Sequence, residues 1–327
     1  MIDSIARAAR PVLARPALVA KAGALALSAL LLASCGGDGS SSAPTPPLFS
    51  TTVVFGASLT DTGNCGSPNA GACPPPPYAT GRASNGTLFV ETIAARYGAA
   101  VRPSATGGTN FAYGGARTGS IPGLTTQSTI PSMVAQVQQF IERPASAATL
   151  NPQTLFVVDA STFGNNFNAA AGAGLLPAGG TALVTAAVTD IVTIMTRLYN
   201  AGARNILLVN VPDLGLTPLV RAQGAAAQAG ATQLAGGFNQ GLAGAVAANL
   251  TPTTAPGLRV YTLDLFGISR AVSANPASAG LTNVTDACVT TTVCSTPDTF
   301  LYWDAFHPTR AAGAFIAAQA ATLLPAP

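Results

Sequence analysis

The chain contains one histidine, His307. A lone histidine is commonly a passenger of the surface or core, so its neighbours decide what it can do. Here Trp303-Asp304-Ala305-Phe306-His307-Pro308-Thr309 sets a carboxylate three residues before the imidazole, in a loop that ends where a helix can begin. In a turn, that spacing lets Asp304 accept a hydrogen bond from one ring nitrogen, fix the tautomer and stabilise the imidazolium. The other nitrogen then faces outward as a base near neutral pH. A base of this kind needs a nucleophile. Near the other end of the chain, Val53-Val54-Phe55 runs into Gly56-Ala57-Ser58-Leu59-Thr60-Asp61-Thr62-Gly63-Asn64. A serine just past the carboxyl end of a central parallel strand stands where open α/β sheets bind ligands. A helix following it would aim backbone N–H groups at a developing oxyanion. Ser58 reads equally well as a helix N-cap. Asp61 and Asp159 are further acids, read as anchors for loops near the site.

Such groups work only if the elements that carry them meet. Apolar β-branched runs alternate with Ala-rich stretches along the chain. Thr52–Phe55, Thr154–Val158, Asn205–Val211 and Arg259–Leu263 read as strands. Leu88–Tyr97, Ser132–Glu142, Ala182–Ala201 (closed by Gly202) and roughly Ala229–Asn249 read as helices, and a last helix starts at Pro308. Short continuous apolar strands separated by helices predict an α/β fold with a parallel sheet covered on both faces. With no internal repeat and no second composition regime, residues 48–327 read as one domain. The Gly- and Pro-rich loops Asn64–Ala83, Gly119–Ile130 and Ser273–Pro297 are long, as loops around an active site tend to be.

Charge narrows the partners. Arg7, Arg10, Arg15 and Lys21 face only Asp3 in the first 34 residues, which accounts for the whole net charge of +3. The remainder balances 11 Arg against 11 Asp and Glu and has no Lys. No basic stripe is left to grip phosphates, so nucleic acid is not an expected partner. The basic N-terminal stretch precedes an apolar run, Ala24 to Ala33, too short to span a bilayer. Residues 1–34 therefore read as a secretory signal peptide. Leu32-Ala33-Ser34-Cys35 resembles a bacterial lipobox, in which that cysteine carries the lipid, and a Gly/Ser/Pro tether over 35–47 follows. The expected protein is exported and held to the cell envelope, at the outer membrane or surface, by lipid on Cys35, or else released. An ordinary cleaved signal with an incidental cysteine is the alternative. Four cysteines remain. Their spacing favours the bridges Cys65–Cys73 and Cys288–Cys294 among three possible pairings. Neither pair has zinc-knuckle spacing, and no metal or other cofactor is expected.

Read together, these segments resemble the GDSL (SGNH) family of serine esterases and lipases. Phe55-Gly56-Ala57-Ser58-Leu59-Thr60-Asp61-Thr62-Gly63-Asn64 is similar to that family's FGDSLSDTGN block. Tyr78 followed by Gly81-Arg82-Ala83-Ser84-Asn85-Gly86 is similar to its GRFSNG segment. Gly108 to Ala116 resembles GGTNFAxGGA. Gly202-Ala203-Arg204 with Asn210-Val211-Pro212-Asp213-Leu214-Gly215 resembles GARxxxxxNxPDLG. Trp303-Asp304…His307-Pro308-Thr309 resembles WDxxHPT. The blocks stand in family order from residue 53 to 309.

The resemblance implies a three-layer α/β/α sandwich with a central parallel sheet, flavodoxin-like, and a hydrolase of carboxylic esters. It implies that Ser58 attacks the carbonyl, His307 takes its proton and Asp304 orients His307. The oxyanion hole would be the backbone N–H of Ser58, the backbone N–H of Gly115 and a side-chain amide from Val158…Phe167. A literal G-x-N reading of that third block selects Asn166, with Asn165 as the alternative. Two positions depart from the family: Ala57 replaces the Asp of GDSL, and Phe167 replaces the Asp of GxND. Asp213 fits a strand-end turn, Arg82 and Asn85 are expected to pin the loop carrying Cys65–Cys73, and Trp303 is expected to pack beside the His307 loop. The competing class is a non-catalytic surface lipoprotein that uses the same cleft for binding. A metallohydrolase lacks the histidines and clustered carboxylates it needs.

Overall fold

The computed structural model describes residues 48–327, apart from 69, 71 and 125–127. The expected signal peptide at 1–34, the tether at 35–47 and the lipidated Cys35 lie outside the described residues.

Four parallel strands form the central sheet in the order β1 (Thr51–Phe55), β2 (Thr154–Asp159), β3 (Asn205–Val209) and β4 (Arg259–Leu263). Their register pairs Val54 with Val157, Val157 with Leu207, and Leu207 with Tyr261. Alternation along the strands divides the apolar side chains between two faces. Val53, Phe55, Phe156, Val158, Ile206 and Leu208 point to one face. It is covered by helices α2 (Met133–Glu142), α4 (Leu176–Ala201) and α6 (Ala225–Asn249), through residues such as Phe140, Ile194 and Phe238. Val54, Leu155, Val157, Leu207 and Val209 point to the other face, under α1 (Phe89–Arg96) and α8 (Arg310–Leu323). A helical layer on each face of a parallel sheet is the expected three-layer α/β/α sandwich.

The predicted strands and helices are present with shifted ends. Helices α4 and α6 start earlier than their apolar patterns suggest, and β3 stops at Val209. The last helix begins at Arg310, not Pro308, because the Thr309 hydroxyl accepts the Ala312 N–H as its N-cap. Helices α3 (Phe163–Gly172), α5 (Pro218–Arg221) and α7 (Leu265–Ala274) are additional, as is a small parallel pair, β5 (Asn283–Ala287) with β6 (Phe300–Tyr302). Both expected bridges form, Cys65–Cys73 and Cys288–Cys294. With every one of these sulfurs in a disulfide, none is available as a zinc ligand.

Candidate active site

The site is built at the carboxyl ends of β1 and β2 and on the loop after β6. No helix follows Ser58. The chain makes a single turn, in which the Thr60 and Asp61 N–H groups both donate to Ala57 O. The physical reason is Asp61: its Oδ1 accepts the N–H of Gly63 at 2.8 Å and of Asn64 at 2.7 Å, an alternative to helical pairing. Gly56 makes that turn possible. A Cβ there would meet Thr60 Oγ1 at 2.4 Å and Asp159 Cβ at 2.8 Å. Beneath the turn, Thr60 Oγ1 donates to Asp159 Oδ2 at 3.2 Å, and Asp159 also accepts the Ser161 N–H and hydroxyl. Burial drives the Asp159 carboxyl up to about 6 despite those donors. Asp61 is raised too, by burial that outweighs its backbone donors. Both acids hold loops, as expected.

The Gly108–Ala116 segment is locked to the segment around Ser58. Asn64 Nδ2 donates to the carbonyls of Asn110 (2.7 Å) and Ala112 (2.8 Å). Asn110 Nδ2 returns a bond to Thr60 O at 2.6 Å, and Gly114 N donates to Asp61 Oδ2 at 2.8 Å. Gly115 follows with φ +78°, a conformation that favours glycine, and a Cβ there would meet Ile130 Cδ1 at 2.9 Å. Among the described residues, neither the Ser58 nor the Gly115 backbone N–H has a hydrogen-bond partner.

The loop after β6 supplies the rest. Trp303 N donates to His307 O at 2.7 Å, which closes a tight loop. Asp304 Oδ1 accepts the backbone N–H groups of Phe306 (2.9 Å) and His307 (2.8 Å), and its Oδ2 lies 2.7 Å from His307 Nδ1. On the far side of the ring, His307 Nε2 lies 2.8 Å from Ser58 Oγ. Burial would raise the Asp304 carboxyl. The His307 hydrogen bond, its charge and the two backbone donors more than offset that and hold it below the usual carboxylate range. Ser58, Asp304 and His307 are therefore brought together across 249 residues of sequence.

Of the two asparagines, Asn166 is the one turned away. It is buried, its Oδ1 accepts the Thr118 N–H at 3.0 Å and its Nδ2 donates to Thr118 Oγ1 at 2.7 Å. Asn165 lines the cleft beside Ser58, Gly115 and His307. One of its amide hydrogens goes to Ala116 O at 2.7 Å, which leaves the second for the cleft. The block lies on α3, where adjacent residues diverge by roughly 100°, so Asn165 faces the cleft and Asn166 faces Thr118. The cleft holds about 230 Å³, and Cys65, Ala72, Pro74, Gly81, Ala83 and Ile130 form part of its wall.

Two further residues belong to this framework. Tyr78 donates its hydroxyl to Asp304 Oδ2 at 2.9 Å, and both burial and the carboxylate's charge raise its pKa. Gln136 on α2 bonds both backbone groups of Gly56. Tyr78 stands with the GRFSNG-like segment, but nothing local marks its bond to Asp304. Gln136 carries a readable signal: it is a polar residue among Met133, Val137 and Phe140 on the buried face of an amphipathic helix. Arg82 holds the end of the loop carrying Cys65–Cys73, where it donates to Thr80 O at 2.7 Å, but Asn85 does not. Arg82 pairs with Glu91 of α1, and Asn85 Oδ1 accepts the Arg310 N–H at the start of α8. Trp303 is buried and packs edge-on against Tyr78, as expected of a packing residue. Asp213 closes the turn after β3 by accepting the Gly215 N–H.

The model of the GDSL-like lipase/acylhydrolase family matches residues 52–320. The chain belongs to this family. Among its relatives, a GDSL esterase/lipase of Arabidopsis thaliana is 29% identical over 265 residues, which cover 74% of this chain and 76% of the relative. A phosphatidylcholine-sterol acyltransferase of Aeromonas hydrophila is 31% identical over 185 residues, 54% of this chain and 49% of the relative. This GDSL-family chain thus spans about half the length of that second relative. Family membership supports carboxylic ester hydrolysis as the broad activity.

Proposed function

We propose that the protein is an exported serine hydrolase of carboxylic esters that works through an acyl-Ser58 intermediate. The observation that carries this reading is the unbroken hydrogen-bonded line from Asp304 through His307 to Ser58 Oγ at the edge of an open cleft. Ser58 Oγ attacks the ester carbonyl carbon while its proton passes to His307 Nε2. The oxyanion is held by the N–H groups of Ser58 and Gly115 and by the Asn165 amide, each donor supplying about 3 kcal/mol. When the tetrahedral adduct collapses, the alkoxide departs with the proton from His307. Water then gives its proton to His307 and its oxygen to the acyl carbon, which frees the acid and restores Ser58. Asp304 stays ionised throughout and keeps the proton on Nδ1, so that Nε2 is the working nitrogen.

Export rests on the signal-like residues 1–34 and on two disulfides, which suit an oxidising compartment. Attachment through lipid on Cys35 is part of the proposal. Hydrolysis of p-nitrophenyl acetate, butyrate and octanoate by wild type, Ser58→Ala and His307→Ala tests the reading. Turnover abolished by both substitutions, with fluorophosphonate labelling confined to Ser58, supports it. A folded wild type with neither turnover nor labelling refutes it.

A further inference from the structure

Beyond the cleft that His307 lines, Ser58 borders a second recess of about 60 Å³, whose wall includes Leu59, Asn165, Pro212, Leu214 and Phe306 but not His307. This recess shares Leu59, Pro212, Thr217 and Phe306 with a third space, also about 60 Å³, between α7 and α8. That deeper space is walled by Leu265, Ile268, Val272, Leu281, Leu301 and Ile316. Two of its polar side chains are already occupied. Thr217 Oγ1 donates to Leu214 O at 2.7 Å, and Ser269 Oγ donates to Phe266 O while accepting the Asp213 N–H. Burial raises the Tyr302 hydroxyl above its ordinary range, so it remains a neutral donor. With a lining otherwise apolar, an occupant gains chiefly by removing apolar surface from water.

We infer that this passage, from Ser58 past Phe306 into the space between α7 and α8, is the acyl-chain site, and that the preferred substrates are esters of unbranched aliphatic acids. The inference rests on the serine-hydrolase reading above. Its direction follows from proton bookkeeping. The leaving alkoxide takes its proton from His307 Nε2, so the alcohol part occupies the 230 Å³ cleft that His307 lines. The acyl part lies on the other side of the carbonyl carbon and faces the recess that Ser58 and Asn165 line without His307. Phe306 borders all three spaces, with its ring against that of His307 at 4.2 Å between centroids, and is 39% exposed. It stands as the partition between alcohol and acyl sides. A larger apolar groove of about 810 Å³ between α3 and α6, lined by Phe167, Leu219 and Leu234, meets the recess only at Asn168 and does not reach Ser58.

The test compares kcat/KM for p-nitrophenyl octanoate and acetate in the full chain and in Ile268→Trp, Leu301→Trp and Leu234→Trp. Wild type should prefer octanoate. Each of the first two substitutions fills the passage and should lower the octanoate-to-acetate ratio by about tenfold or more, while Leu234→Trp should leave it within about twofold, since a few buried methylenes are worth that much. An unmoved ratio in both passage variants, a fall confined to Leu234→Trp, or a wild type that prefers acetate would overturn the inference. Labelling of Ser58 by methyl- and octyl-phosphonofluoridates gives the same ratio within each preparation, so a partly unfolded variant still reports. Turnover with an unmoved ratio removes the acyl passage alone. A wild type with neither turnover nor labelling removes the hydrolase reading and the passage together.

Discussion

The side-chain amide of Gln136 holds both backbone groups of Gly56. Its Oε1 accepts the Gly56 N–H at 3.0 Å, and its Nε2 donates to Gly56 O at 2.9 Å. A helix on one face of the sheet thereby fixes the residue at which β1 turns towards Ser58. Gln136→Leu leaves the buried Gly56 N–H unpaired, a cost of about 1–3 kcal/mol, while Gly56 O keeps the Tyr113 N–H at 3.3 Å. The expected result is a lower denaturant midpoint together with reduced kcat, measured by urea unfolding and ester turnover on the same preparation.

Tyr78 contributes one of the hydrogen bonds that keep Asp304 aligned with His307. Tyr78→Phe removes that bond and retains the ring against Trp303. A hydrogen bond to a charged group is worth about 1.5–3 kcal/mol, so kcat should fall by roughly tenfold or more. KM for the acetate ester should hardly change, because Tyr78 does not line the cleft. A large rise in KM with constant kcat would contradict a positioning role.

The two asparagines should separate cleanly. Asn165→Ala should lower kcat by about 10²–10³, as loss of an oxyanion donor does. Asn166→Ala leaves the Thr118 N–H without its acceptor and should lower stability by about 1–3 kcal/mol. Its effect on turnover should be the smaller of the two. Steady-state kinetics and thermal unfolding of both variants check this, and the reverse pattern would return the assignment to Asn166.

Asp159 predicts a particular pH dependence. Burial raises its folded pKa to about 6, above the ordinary carboxyl value. A group raised in this way favours the folded state when protonated, and that contribution is lost as pH rises through about 6. Stability of wild type relative to Asp159→Asn should therefore grow as pH falls from about 7 towards 5. Asp304 has the opposite sign. Its lowered pKa contributes stability above the usual carboxylate range, lost only as pH falls through the depressed value. Urea midpoints for wild type and Asp159→Asn across that range give the slope directly.

Much of this architecture could be read from residues alone, and the exceptions have physical causes. The β-branched runs around Val53, Phe156 and Leu207 declare buried strands because both faces of the sheet are covered. Ser58, Asp304 and His307 are legible because their chemistry is rare in this chain, with a single imidazole to place. Helix α3 is hidden by its Gly and Asn residues, which favour turns by propensity and form a helix here through packing of Phe163 and Ala170. Choosing between Asn165 and Asn166 needs the helical register, which no spacing rule supplies. The partner of Asn85 lies at the start of α8, too far along the chain for local reading. The turn after Ser58 imitates a helix start in sequence, and only the Asp61 bonds to Gly63 and Asn64 divert it.

The separation of 249 positions between Ser58 and His307 also orders events in time. Synthesis delivers Ser58 with the first strand of the sheet and His307 only after the last of its four strands. The His307 loop is held by Thr309 at the start of α8, and α8 packs with α1 on the same face of the sheet. A nascent chain therefore carries an inert hydroxyl until its final helix docks against one of its first. On the proposed mechanism, completion of the fold itself is what gives Ser58 its base.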